Sequence, residues 1–380
     1  MRKRRAAAVW LVLLPLTCSG VKAQDKKADM ASRLTVLVND RFAATKCPGL
    51  SVTVALRNQI VFSSALGMAD VEQGVSLKTN SVHRLASLSK PITGTIIMDL
   101  VRQGKLSLDA RIRRYLPELP EGYTTVTLRH LLDHQSGVGG DEGADVAFSV
   151  THYATSRNAL KVFMGRPLKF KPGTKTEYSS LAFTVAGAAA ESVTGLSFQQ
   201  LSADFFARHR INGLFLDDPL AILPNRVRGY LVDSSSKIEF NHGRTMNRDY
   251  LAGTAGPVTN ARAYDISNRY PAGGFDSSGE DLLRFVISID AGKILSPEAV
   301  REMWTAQTTS DGTKGVFGIG WGVSQWNEKP MVGMNGAEPS TTTFLRYFPD
   351  SGVGVALLCN AEGARDLPKL LESMLQEIFQ

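Results

Sequence analysis

Strand-like alternation sits at the two ends of this chain and is sparse between them. Near the start, Leu50-Ser51-Val52-Thr53-Val54-Ala55-Leu56 repeats with period two, as a strand does. Asn58-Gln59 reads as a turn and Ile60-Val61-Phe62 as a second strand, so the pair is a hairpin. Gly67 to Asn80 reads as a loop. Strand signals return at Gly318–Val323, Met331–Gly333, Thr342–Phe348 and Gly352–Cys359. Residues 105–275 read as helices and long loops, including a short helix over Leu128–His134 stopped by Gly137. Another, the Ala-rich Leu181–Thr194, is stopped by Gly195. Helices are also expected over Asp25–Ala44, Asp281–Asp290 and Leu367–Phe379. The economical solution is an α+β fold with one antiparallel sheet built from both chain ends and flanked by the terminal helices. The middle is then a large inserted helical domain, with the site in the crevice between the two parts. This divides the chain into 24–82, a helical insertion over 83–275, and 276–380.

The first 23 residues stand apart. Met1-Arg2-Lys3-Arg4-Arg5 is basic, Ala6 to Leu16 is apolar, and Val21-Lys22-Ala23 offers small residues at cleavage spacing. The expectation is a signal peptide cut after Ala23, and an exported chain, periplasmic or secreted. The apolar run falls short of the ~20 residues of a membrane span. Lipid attachment at Cys18 is disfavoured by Leu16 and Thr17 before it. The segment holds Arg2, Lys3, Arg4, Arg5 and Lys22 and no acid, so its removal lowers the net charge from +7 to +2. The basic balance therefore does not argue for nucleic acid as a partner. Two of the three cysteines remain, Cys47 and Cys359. Free buried thiols or a disulfide are both open at this point.

Ser87-Leu88-Ser89-Lys90 carries the chemistry. Ile92, Ile96, Ile97, Leu100 and Val101 mark one helical face after Ser87, and Gly104 stops the run. Pro91 falls in the first turn, where a missing N–H costs little. Residues i and i+3 share a face, so a hydroxyl at a helix N-terminus meets an amine. A lysine held against a serine eases loss of the serine proton. Two fixed residues recur by chance about once or twice in a chain of this size. A second copy, Ser234-Ser235-Ser236-Lys237, lies in a polar segment of turn composition and reads as a decoy. Each residue alone also has a bland reading: a capping serine, a solvated lysine.

Context separates the two copies. His83-Arg84-Leu85-Ala86 precedes Ser87, and Leu131-Leu132-Asp133-His134-Gln135-Ser136-Gly137 follows. Then come Lys171-Pro172-Gly173, Tyr178-Ser179-Ser180, Ala272-Gly273-Gly274-Phe275, and Gly352 to Asn360. In order and spacing these resemble the penicillin-recognising serine hydrolases, which include class C beta-lactamases, D-aminopeptidases and related esterases. The resemblance spans nearly the whole chain after the signal. It implies a beta-lactamase/transpeptidase-like fold and a hydrolase acting on peptides, D-amino-acid peptides, esters or amides. It makes Ser87 the nucleophile that forms an acyl-enzyme, Lys90 the holder of a proton network, and Tyr178 the general base beside the lysine charge. The oxyanion hole would use the backbone N–H groups of Ser87 and Ala337. Ser180, Asn335 and Gly336 would contact substrate, Gly336 by letting it approach the strand closely.

Two departures stand out. The second motif of the family usually ends in Asn, and here it ends in Ser180, which has a shorter reach. The third motif usually begins with a cation or imidazole, and Met334 stands there, in Met334-Asn335-Gly336-Ala337. Esterase or peptidase action is therefore expected over efficient beta-lactam hydrolysis. The same departures motivate an alternative, a catalytically weakened binding or assembly protein that keeps the fold. The implied fold also sets the first strand antiparallel to the last, which would join Cys47 to Cys359. No cofactor is expected. His130 and His134 share the spacing of a zinc helix, but no Glu follows His130 and no third ligand is evident. They are read as structural histidines, with no metal. The expected partner is a small-molecule or peptide substrate; the oligomeric state is left open.

Overall fold

The computed structural model describes residues 19–139, 149–232, 237–240, 244–247 and 258–380, the first ten and the two short segments by backbone alone. The N-terminal basic and apolar stretch and Ser234 to Ser236 of the second S-x-x-K copy lie outside the described residues.

Both chain ends build one seven-stranded sheet. The N-terminal part gives β1 (Gly49–Leu56), β2 (Gln59–Asp70) and β3 (Val75–Ser76). The C-terminal part gives β4 (Gly322–Trp326), β5 (Lys329–Glu338), β6 (Thr341–Phe348) and β7 (Val353–Cys359). The order is β4-β5-β6-β7-β1-β2-β3, antiparallel throughout. β1 is central, and its alternation specifies two different packings. Leu50, Val52 and Val54 face one side, where Leu34 and Val38 of α1 (Ser19–Thr45) and Leu370 and Met374 of the C-terminal helix meet them. Ser51 and Thr53 face the other. Their small side chains let a helix N-terminus close in, since a Cβ on Gly279 would sit 2.5 Å from Thr53 Oγ1.

That second face shares one apolar core with the helical middle: Leu345, Ala356 and Leu358 of the sheet join Ile92, Ile96 and Phe183. Besides the one-turn helices Ser156–Ala159 and Tyr270–Gly273, the described helices after α1 are α2 (Ser89–Arg102), α3 (Leu128–Leu132), α4 (Ser180–Thr194), α5 (Phe198–His209), α6 (Gly279–Asp290), α7 (Pro297–Met303) and α8 (Leu367–Ile378). α2 is buried from Ser89 to Leu100, so it runs through the interior and not along a surface. α4 is buried from Ser180 to Glu191. Its alanines and glycine permit a close approach, and a Cβ on Gly187 would overlap the Pro271 ring. No single described helix is long and apolar enough to cross a membrane.

Three local expectations change. β2 continues past Gly67 to Asp70, because Met68 N–H donates to Pro48 O and its outer edge pairs with β3. Gly318–Trp321 is not strand; β4 begins at Gly322. Gly320, at φ +80°, turns the chain onto α2, and a Cβ there would lie 2.7 Å from Lys90 O. α3 ends at Leu132, two residues early, because His134 takes φ +63°.

Cys47 and Cys359 form a disulfide with a Cα separation of 5.8 Å. It ties the entry to β1 to the end of β7, where Leu50 faces Cys359. Cys47→Ser is expected to lower the unfolding free energy by about 2–4 kcal/mol. Urea denaturation should show this without reductant, and the gap to wild type should close when both are reduced.

Candidate active site

The segment before Ser87 is fixed from both sides. Arg84 pairs with Asp276 of the short strand Phe275–Ser277, and Leu85 N–H donates to Phe275 O at 2.9 Å. Two threonines of β6 reach across from the sheet: Thr341 Oγ1 donates to Arg84 O and Thr343 Oγ1 to Leu85 O, both at 2.9 Å. Ala86, fully buried, is then held at φ +50°. Such a conformation costs on the order of 1–3 kcal/mol and persists only when its surroundings dictate it. The chain passes through a 3-10 turn, Ala86–Leu88, into α2. Ser87 thus lies in a 3-10 turn at the N-terminus of α2, the helix end at which the apolar spacing set it.

Lys90, one α-helical position in, has no solvent exposure. Its ammonium donates to Ser87 Oγ, Ser180 Oγ and Ala272 O, each at 3.1 Å. An ammonium has three protons and no acceptor, so the set is complete. The rings of Tyr178 and Phe183 flank it at 4.7 and 5.5 Å. Ser87 Oγ accepts from the lysine and lies 2.6 Å from the Tyr178 hydroxyl. Tyr178 is 40% exposed and precedes α4. Ser179 caps that helix by accepting from Ala182 N–H at 3.1 Å, and its own hydroxyl donates to Gly139 O. Ser180, in place of the family's Asn, reaches the ammonium directly.

The strand side is less uniform. β4 pairs with β5 only as far as Gly333, so no described strand covers the outer edge of Met334–Glu338. Gly336 lies against the turn that carries Ser87: a Cβ there would be 2.5 Å from Leu85 O and would overlap Thr343 Oγ1. Its missing side chain admits that turn and not a substrate. Ala337 is exposed on the same edge segment. Asn335 points to the opposite sheet face, opposite Phe344, where its Oδ1 accepts from Arg346 Nη2 at 2.7 Å. Met334 is buried in the shared core with Val332 and Leu345. Ser87, Lys90, Tyr178 and Ser180 therefore meet, Gly336 borders their turn with Ala337 next to it in the strand, and the Asn335 side chain does not join them.

Several neighbours make contacts that sequence did not assign. Ala272 lies in a segment quoted for the family resemblance, but its contact with Lys90 is made by a backbone carbonyl. Glu338 lies over Gly273 and accepts from the Tyr264 hydroxyl at 3.0 Å. Burial raises its pKa, while Arg269 and Lys90 oppose that. His134 touches the Tyr178 ring and accepts from Ser179 N–H; it was visible in its motif but read there only as structural. His130 Nδ1 accepts from Thr127 N–H at the start of α3. Among the described residues, no group of three or more His, Cys, Asp and Glu side chains is placed to hold a metal. Asp133, beside His134, is pushed up by burial to about 7, against the Gln135 N–H that it accepts.

Comparison with known proteins bears on family and fold. The family model described as Beta-lactamase matches residues 34–377. Esterase EstB of Burkholderia gladioli is 34% identical over 184 residues, 44% of this chain and 46% of that protein. The chain thus aligns with under half the length of that esterase. The mitochondrial serine beta-lactamase-like protein of Homo sapiens is 23% identical, with 83% of this chain and 74% of that protein covered. Among solved structures, D-amino acid amidase from Ochrobactrum anthropi superposes with a TM-score of 0.76 at 20% identity, covering 92% and 99% of the two chains. The octameric penicillin-binding protein homologue from Pyrococcus abyssi gives 0.72 at 21%, covering 91% and 77%.

Two outcomes are expected. Gly336→Ala should cost about 1–3 kcal/mol by overpacking and displace the Ser87 turn, seen as a lower thermal midpoint together with slower labelling of Ser87. Asp133 has its folded pKa above its unfolded one, so its contribution is present below about pH 4 and lost as pH rises through about 7. Asp133→Asn should therefore gain stability over wild type between those limits, by at most about 4 kcal/mol at ~1.4 per unit, read by urea denaturation across the range.

Proposed function

We propose that this chain, which belongs to the beta-lactamase family of serine hydrolases, works through a covalent acyl-enzyme on Ser87. The observation that carries the reading is the arrangement at one oxygen: Ser87 Oγ accepts from Lys90 at 3.1 Å and faces the Tyr178 hydroxyl at 2.6 Å. The ammonium has no acceptor, so the serine proton can only pass to the phenol side. Tyr178 as general base takes that proton while Oγ attacks a substrate carbonyl, with the Lys90 ammonium 4.7 Å from its ring. The backbone N–H groups of Ser87 and Ala337 receive the developing oxyanion. Collapse expels the leaving group with a proton returned from Tyr178, and water then releases the acid.

The substrate class follows from the rim. With the uncharged Met334 buried where a cation is expected, nothing at that position attracts a carboxylate. Esters, amides and peptides with neutral ends near the acyl carbon therefore suit the site better than carboxylate-bearing beta-lactams. The named activities of the relatives, an esterase and an amidase, agree with this. The alternative of a weakened binding protein loses one motive, because Ser180 fills its place in the lysine network at 3.1 Å. Export fits the basic and apolar N-terminal stretch and the Cys47–Cys359 bond.

A labelled fluorophosphonate should modify Ser87, located by peptide mass mapping, and Ser87→Ala should abolish both labelling and ester turnover. Tyr178→Phe and Lys90→Ala should each lose about 10²–10⁴ in kcat, the usual worth of positioned acid–base groups. An unlabelled wild type that turns over esters as fast as Ser87→Ala would sink the proposal.

A further inference from the structure

The helix that ends at Leu132 delivers His134 in a left-handed conformation, φ +63°, which is uncommon for a residue with a side chain. That turn aims two acceptors of one residue at one short segment. The His134 carbonyl accepts from Glu177 N–H at 2.8 Å, and its Nδ1 accepts from Ser179 N–H at 3.1 Å. The bonded residues flank Tyr178 on either side. The imidazole itself lies against the phenol ring, centroids 4.5 Å apart and planes tilted by 31°. Phe317, at 4.4 Å edge-on, and Phe183, at 5.4 Å, close the remaining sides, and the histidine is 1% exposed.

The tautomer is dictated by these contacts. A backbone N–H can only donate, so Nδ1 must carry a lone pair, and the proton of the neutral ring sits on Nε2. Burial and the nearby Lys90 charge hold the ring neutral, its pKa well below the usual histidine range. The acceptor is therefore in place throughout the neutral range.

We propose that His134 is a positioning residue for Tyr178, gripping the chain on both sides of it and backing its ring so that the phenol oxygen stays over Ser87 Oγ. The need is physical. Tyr178 is 40% exposed and stands in a loop before α4, so its own packing restrains it on one side only. A misplacement of 1 Å in a reacting group costs roughly a hundredfold in rate. The inference rests on the reading of Ser87 and Tyr178 as nucleophile and base.

Two variants and one spectrum test it. His134→Phe keeps a ring but offers Ser179 N–H no acceptor. His134→Asn keeps an acceptor near the place of Nδ1 and tolerates the left-handed backbone. With a neutral phenyl ester, His134→Phe should lower kcat and the rate of fluorophosphonate labelling about 10²-fold with KM changed less than about threefold, and His134→Asn should recover about tenfold of that loss. Folded variants that both work at the wild-type rate, or a His134→Asn no faster than His134→Phe, would overturn the positioning role. Should His134→Phe not fold, ¹⁵N spectra of the wild-type imidazole decide: an unprotonated Nδ1 with a protonated Nε2 at pH 7 is expected, and an Nδ1–H tautomer or a charged ring overturns the clamp. Failure of wild-type Ser87 to label would instead remove the acyl-enzyme reading, while the imidazole spectrum still reports on the grip itself.

Discussion

An ammonium sealed from water organises this molecule. Taking a lysine charge out of solvent costs several kcal/mol in effective terms, and only complete pairing offsets it. Lys90 obtains that pairing from three segments far apart in sequence: the turn at Ser87, the first residue of α4 at Ser180, and the one-turn helix Tyr270–Gly273 through Ala272 O. Each acceptor is obligatory, because withdrawing one leaves a charged donor buried without a partner. The lysine therefore fixes α2 against α4 and against the segment that leads to Phe275. Glu338, at the end of β5, supplies opposite charge from the sheet side, and its own burial is eased by Lys90 and Arg269. The Lys90 network and the junction between sheet and helices are the same set of interactions.

The turn that carries Ser87 is set by the sheet in a similar way. Thr341 and Thr343 hold the carbonyls of Arg84 and Leu85, and Gly336 leaves room for the turn to rest on β5. With its neighbours pinned, Ala86 has no choice but a positive φ. The strain at Ala86 is local, while the bonds that maintain it come from a strand more than 250 residues away in sequence. This explains how a short 3-10 turn, weak in isolation, can present Ser87 in one orientation.

The features legible in sequence were those with local signals. The alternation in Leu50–Leu56, the apolar face after Pro91 and the stop at Gly195 place β1, α2 and α4 within a residue or two. The pattern of strands at both ends gave the single antiparallel sheet, the i, i+3 spacing paired Ser87 with Lys90, and the family resemblance implied Tyr178 beside them. What sequence did not give depends on contacts at long range. Gly318–Trp321 looks like a strand by its residues, yet it bends because Gly320 and Gly94 let the chain settle on α2. Asn335 sits in a motif, but strand parity turns its side chain to Arg346 on the far face. Ala272 contributes a carbonyl, which no side-chain pattern can announce. His134 belongs to a recognisable segment, but its two-sided hold on residues 177 and 179 exists only after α3 stops and the backbone reverses.

The site is thus built by two kinds of constraint. Around Lys90 the constraint is polar: its ammonium is bonded to Ser87, Ser180 and Ala272, so a change in one of these propagates to the others. Along Met334–Ala337 the constraint is chiefly steric: a glycine where the turn rests, an apolar side chain where the core needs filling, and an exposed alanine at the edge. A cation at position 334 would need its own partner in that core, and methionine needs none. The absence of charge there is therefore compatible with an intact fold and an intact proton network. On the proposed mechanism, it would act on which acyl group docks and not on how Ser87 is activated.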